Sequence, residues 1–345
     1  MKVTTKLIGA AALAAVLAAG LWSPAEAQNY KPEYKISTVV GVPFPWGLSA
    51  QRWADLVKER TNGRINMKVY PGASLVGGDQ TKEFTAMRQG IIDMAVGSTI
   101  NWSPQIQELN LFSLPFLMPD HNAIDAITQS DVGKKLFEII ASKDVVPLAW
   151  GENGFRELTN SKRPIRAPED LKGLKIRVVG SPLFNDTFTA LGANPTQMSW
   201  ADAQPALSTG AVDGQENPLS IYTVAKLHTV GQKYVTMWHY VADPLIFSVN
   251  KEVFASFTPE DQKIVREAAL EAGKYGIEIA RKGITAQDNS TLKEIEALGV
   301  EMVSLTPEQL DAFRKVTKPV YDKWKARIGA DLVTAAEKAV AAKTN

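Results

Sequence analysis

Arg177 is the side chain in this sequence best placed to do chemistry. Around it Leu174, Ile176 and Val178 alternate with Lys175, Arg177 and Val179, the period of two that marks a pleated strand. Gly180, Ser181 and Pro182 stop that strand. Arg177 therefore falls near its carboxyl end, where open α/β sheets bind ligands. A guanidinium there is always charged, and its planar fork of donors matches a carboxylate two to two. An arginine in an ordinary surface ion pair would carry the same signature. The second stretch is Val212-Asp213-Gly214-Gln215-Glu216-Asn217-Pro218. It sets polar, turn-forming residues where a buried element would want apolar ones, and it reads as a site or as a surface loop.

The familiar catalytic sets are missing. His121, His228 and His239 are not paired at helical spacing with another His or with Cys, and they read as structural or exposed. There is no Gly-x-Ser-x-Gly elbow and no Gly-x-Gly-x-x-Gly. Gly77 to Lys82 lacks phosphate-loop spacing, and Asp213 to Asn217 does not fit a calcium loop. The chain has no cysteine, which removes disulfides, cysteine-zinc sites and thiol nucleophiles. No acid/base constellation emerges. The expectation is a binding protein with no cofactor or metal, not an enzyme.

The start of the chain has its own logic. Lys2 and Lys6 precede a 15-residue apolar run, Leu7 to Leu21, and Ala25-Glu26-Ala27 is a small-x-small cleavage site. The run is short for a spanning helix, which needs roughly 20 residues. Residues 1–27 are thus expected to be a signal peptide cut after Ala27, and the absence of Cys excludes a lipid anchor there. An exported protein is expected, which in a Gram-negative bacterium means the periplasm. Removing that segment lowers the 38 basic residues by two and the 37 acidic residues by one, to 36 of each. A nucleic-acid partner would favour a basic excess, and none is present.

The remaining length suits two domains. Strands are expected at Lys35–Val40, Ile65–Val69 and Asp93–Val96, with helices from about Ser49 and after Asp79 (Phe84, Met87, Ile91). That is half of a doubly wound sheet, with strand ends at Val40, Tyr70 and Gly97 facing one crevice. A strand at Val145–Trp150 leads into Gly151-Glu152-Asn153-Gly154, which reads as a hinge. Trp200 precedes a short helix at Asp202–Ser208, and Leu245–Asn250 is a strand returning to the first domain. Thr258-Pro259 opens a helical pattern that runs to about Leu298. At about 40 residues it would span about 60 Å. Either Gly273, Gly276 and Gly283 divide it, or it bridges both domains. A strand at Val300–Ser304 and helices near Pro307 and Gly329 finish the chain.

Several fragments, in order, carry a resemblance. They include Leu56–Gly63, Gly77-Gly78-Asp79, Leu114-Pro115-Phe116, Gly154–Asn160, Asp170–Arg177 and Val212–Pro218. Together the chain resembles the solute-binding proteins of tripartite ATP-independent periplasmic (TRAP) transporters, often labelled C4-dicarboxylate binding. The resemblance implies a periplasmic binding protein-like α/β fold: two α/β domains with hinge strands and a long bridging C-terminal helix. The expected division is 28–153 plus 244–282 for domain I and 154–243 plus 283–345 for domain II. It implies a monomer that captures a small organic acid and passes it to a small and a large membrane subunit, with no nucleic acid involved. Arg177 takes the family's carboxylate salt bridge, Arg156 bonds another ligand oxygen, and Asn217 also reaches the carboxylate. Trp200 stands where the family usually has Phe, so it packs on the solute in a pocket of different width. Phe44, Asp79 and Trp102 are the first-domain candidates by position. The same fold serves sugar acids, aromatic acids and sensor-linked binding proteins. A periplasmic enzyme is the remotest alternative.

Overall fold

The computed structural model describes residues 30–285 and 287–344, so the signal peptide read at 1–27 lies outside the described residues. The first strands along the chain are β1 (Tyr34–Ser37), β2 (Met67–Tyr70), β3 (Met94–Ser98), β4 (Val145–Phe155), β5 (Glu157–Asn160) and β6 (Lys175–Val178). They are followed by β7 (Asn194–Gln197), β8 (Gly214–Asn217), β9 (Tyr234–Met237), β10 (Ala242–Asn250) and β11 (Glu301–Ser304). They form two sheets, one ordered β2-β1-β3-β10-β4 and the other β11-β9-β5-β8-β6-β7. In the first sheet β1 runs parallel to β2 and β3, while β10 is antiparallel to both of its neighbours. The expected strand-helix-strand-helix-strand half is present.

Some boundaries move for identifiable reasons. The first helix is Pro45–Arg60, not a helix from Ser49, because Pro45 supplies a pre-set φ at its first position. Its buried face holds Trp53, Ala54, Leu56 and Val57. The helix after Asp79 is only Glu83–Arg88, and Ile91 is exposed beyond it. Trp200 lies inside its helix, Trp200–Ser208.

The junction between the sheets also differs from the reading. β4 does not break at Gly151 but stays paired with β10 as far as Phe155↔Ala242, with a register shift at Asp243/Pro244. The chain passes to the second sheet at Arg156, whose backbone N–H donates to the carbonyl of Val241 at 3.1 Å. Two neighbouring segments therefore cross together, and Arg156 sits at the crossing.

The expected 40-residue helix is two helices, Pro259–Ala280 and Ser290–Ala297. Gly273 and Gly276 do not divide it. A Cβ at Gly273 would stand 2.3 Å from the Trp150 carbonyl oxygen, and one at Gly276 would stand 2.8 Å from Ser49 Cβ. Those glycines let the helix lie close on β4 and the first helix. It ends after Ala280, where Arg281 turns to Glu152 and Asp125 and Gly283 takes φ +76°. Val265, Ala268, Ala269 and Ala272 pack it on the first sheet with Trp53 and Phe247. The helix that joins both sheets is Pro307–Ile328. Its Phe313 is in the second sheet's core with Ile176 and Trp238, and its Trp324 and Ile328 are in the first sheet's core. The last helix, Ala330–Thr344, sets Val333 and Ala336 against the cluster holding Ile124 and Ile127. This places it on first-sheet elements, whereas the sequence reading grouped 283–345 with the second domain. Among the described residues no helix is long and apolar enough to cross a membrane.

Candidate ligand-binding site

Arg177 leaves β6 opposite Gln215 of β8 and Thr196 of β7. Its residue is 1% exposed. Nε and Nη2 donate to the carbonyl oxygen of Met198 at 3.2 and 2.9 Å, and Nη1 has no hydrogen-bond partner among the described residues. The guanidinium carbon lies 5.8 Å from the centre of the Trp200 ring. No carboxylate pairs with it among the described residues. Burial pushes its pKa down to about 10, with Glu216 opposing the shift and Arg156 adding to it. Leaving a buried charge without its partner costs roughly 3–5 kcal/mol. A surface ion pair is therefore excluded, and the guanidinium keeps donor capacity that no described carboxylate uses.

Arg156 stands in contrast. It is equally buried, and Glu216 takes its Nε and Nη2, the latter at 2.9 Å to the carboxylate and 2.7 Å to the backbone oxygen. Its Nη1 donates to Asp243 Oδ2 at 3.0 Å. Burial works against its charge, but Glu216 and Asp243 outweigh that and raise its pKa. Tyr240 donates to Glu216 Oε2 at 2.8 Å. Asn153 donates to Asp243 Oδ2 at 2.8 Å, and Ser98 donates to Oδ1. Burial nevertheless raises the Asp243 carboxyl above its ordinary range.

The Gln215-Glu216-Asn217 run is neither turn nor surface loop. It is β8, with all four residues buried, antiparallel to β5 and parallel to β6. Its polar side chains are tolerated because each finds a partner. Glu216 meets Arg156, Gln215 Nε2 donates to Thr159 Oγ1 at 2.9 Å, and Asn217 Nδ2 donates to Gln215 Oε1.

Arg156, Arg177, Asn217 and Trp200 line one small cavity of about 20 Å³. The fold brings these four sequence candidates to one place. Three others are displaced from it. Trp102 is fully buried in the first sheet's core, its ring 5.2 Å from Phe84 and directly under Gly97, while Asn101 faces the cavity. Phe44 is the residue before the first helix, and Trp46 lines the cavity instead, its indole N–H fixed to the Val96 carbonyl at 2.7 Å. Asp79 caps the turn at Gln80–Lys82 through Thr81 and borders a separate surface hollow, while Gln80 lines the cavity. The remaining wall is Val39, Val40, Val179 and Ile221, with Asn153 and Asp243 beside Arg156. Asn101 follows the end of β3, so the rule that strand ends face the crevice pointed to its neighbourhood. Nothing in the sequence marked Asp243 as a lining residue, and Asn153 was read as part of a hinge. None of the three histidines lines the cavity.

The cavity mouth is closed by contacts between the two sheets' loops. Gln80 Oε1 accepts from the Trp200 backbone N–H at 2.8 Å. A Cβ on Gly180 would lie 2.7 Å from Thr81 Cγ2, so the two loops touch there.

A buried arginine with no carboxylate partner among the described residues thus stands between two sheets joined by crossing strands. Residues 36–327 match the family model described as bacterial extracellular solute-binding protein, family 7. The chain belongs to that family. Among solved structures it is similar to a TRAP periplasmic solute-binding protein from Ralstonia eutropha H16 with bound (S)-2-acetolactate. That likeness has 67% identity and a TM-score of 0.90, over 90% of this chain and 99% of that one. It is 30% identical to the C4-dicarboxylate-binding periplasmic protein DctP of Rhodobacter capsulatus over 98% of this chain and 99% of that protein. It is 33% identical to the 2,3-diketo-L-gulonate-binding periplasmic protein YiaO of Escherichia coli, over 74% of this chain and 76% of that protein. This family 7 protein thus has the TRAP solute-binding architecture that its sequence resembles.

Proposed function

We propose that this family 7 protein is the periplasmic solute-binding subunit of a TRAP transporter and that it captures a short, branched organic acid. The observation that carries the reading is Arg177, buried, charged and, among the described residues, without a carboxylate partner. The ligand carboxylate docks on the free edge of its guanidinium and replaces the water that the charge has lost. Asn217 supports the same carboxylate, and Arg156 offers its one remaining N–H to a second ligand oxygen. Trp200 packs on the solute. The apolar wall of Val39, Val40, Val179 and Ile221 favours methyl groups over the run of hydroxyls in a sugar acid. The protein at 67% identity holds (S)-2-acetolactate, an acid with a methyl, a hydroxyl and a keto group, which agrees with such a wall. The two crossing strands act as the hinge, and the closed protein delivers its solute to the membrane subunits as a monomer. No chemistry is performed on the solute.

A thermal-shift screen of residues 28–345 against organic acids tests this, after unfolding and refolding to strip the site. Ligand at about 100 times its Kd adds about 2.7 kcal/mol of stability. The reading predicts a shift with 2-acetolactate and recovery of that acid unchanged after incubation. No shift with any acid, or conversion of the ligand, would overturn it.

A further inference from the structure

We infer that Asp243, through its hold on Arg156, limits this site to ligands with a single carboxylate. It thereby admits a short hydroxy- or oxo-monocarboxylate and refuses a dicarboxylate of similar length. The inference rests on the carboxylate reading of Arg177 and adds to it a count of charges.

Four ionic side chains stand at the cavity or directly behind it. Arg177 and Arg156 are positive, Glu216 and Asp243 negative, and the set is neutral before a ligand arrives. The first carboxylate takes Arg177, the member without an ion-pair partner. A second would need Arg156, the other cation in the cavity lining. That guanidinium is already held by Glu216 on Nε and Nη2 and by Asp243 on Nη1 at 3.0 Å. Asp243 is itself part of the lining and is 1% exposed. Its position is fixed by Ser98 and Asn153, so it does not swing away to release Arg156. A second ligand carboxylate would therefore meet a buried carboxylate of the same sign, in surroundings that screen little. Val179 and Ile221 of the same lining offer it no donors. A keto or hydroxyl oxygen carries no charge and escapes this penalty. The neutral amides of Asn101 and Asn217 suit such an oxygen.

No local pattern marks this selector, because Asp243 lies 87 residues from Arg156, on β10 of the first sheet, while Arg156 stands at the crossing. It is a specificity-determining residue whose effect is a ratio between ligands.

The test is isothermal titration of the ligand-stripped protein with 2-acetolactate, succinate and monomethyl succinate. The last keeps the succinate chain but has one charge. The parent protein should bind monomethyl succinate at least about tenfold more tightly than succinate. Asp243→Asn should narrow that ratio by about tenfold, since it frees Arg156 without changing the side chain's shape. Glu216→Gln frees the same guanidinium from the other side. It should move the ratio in the same direction, and it serves should Asp243→Asn fail to fold by circular dichroism. A defect that is merely structural would weaken both ligands alike and leave the ratio unmoved. If the parent binds 2-acetolactate but prefers succinate to its monoester, the charge count is wrong while the carboxylate reading stands. A ratio unchanged in the folded variants overturns it equally. If the parent binds none of the acids, the carboxylate reading fails and this inference with it.

Discussion

Two buried arginines a short way apart do different work because their neighbours differ. Arg156 is matched by Glu216 and Asp243, while among the described residues Arg177 has only the Met198 carbonyl and the face of Trp200. On the proposed reading, the electrostatic gap left at Arg177 is closed by the ligand's carboxylate. A second buried group, Glu83, shows what the same physics does without a ligand. It is fully buried, Ser37 donates to its Oε1, and its Oε2 has no partner among the described residues. Burial raises its pKa to about 7, against a smaller lowering by Ser37. The unfolded chain loses this proton near its ordinary value of 4.5 and the folded protein near 7. Between those values the folded state binds more protons, so its contribution is full below 4.5 and is lost as pH rises through 7. The loss is on the order of 3 kcal/mol. Thermal midpoints measured from pH 4 to pH 8 should show this decline, and Glu83→Gln should remove most of it. An undiminished decline in the variant would show that Glu83 is not its source.

At the scale of elements, legibility followed the hydrophobic pattern. β6 was readable because Leu174, Ile176 and Val178 alternate with polar residues, and that placed Arg177 at a strand end. β8 was not readable as a strand, because Gln215, Glu216 and Asn217 are buried through partners on β5 and the crossing, which no local pattern reports. β7 contains Pro195, an edge-strand residue that punctuates the sequence like a turn. The cavity residues from the first sheet were missed by one or two positions: Trp46 for Phe44, Gln80 for Asp79, Asn101 for Trp102. Composition marks such a loop, but side-chain direction depends on turns that only the folded chain fixes. The crossing was displaced as well, from Gly151–Gly154 to Arg156. Gly154 still has a structural task, with φ +125° and a would-be Cβ 3.2 Å from Pro218 Cβ. Gly154→Ala should cost about 1–3 kcal/mol and lower the thermal midpoint. An unchanged midpoint would mean that the crossing tolerates another backbone conformation.

For the molecule as a whole, the two sheets and their cores are linked by the crossing strands and by the helix Pro307–Ile328, whose ends belong to different cores. The mouth of the cavity is held by small contacts, Gln80 to Trp200 and Thr81 against Gly180. Such a seam opens at little cost compared with unpacking either core. Small-angle scattering should therefore find the ligand-stripped protein more extended and should see the radius of gyration fall when acid is added. Equal radii with and without bound acid would rule out closure about the crossing. The central claim, however, is chemical: one carboxylate completes the charge of Arg177. The most direct test is to titrate 2-acetolactate into the stripped protein and into Arg177→Met by calorimetry, with a thermal melt of each alone. Methionine keeps the bulk and removes the charge, so the empty variant should be as stable as the parent or more so. Its affinity should fall by about 2–5 kcal/mol. A folded Arg177→Met that binds the acid as tightly as the parent would contradict the account.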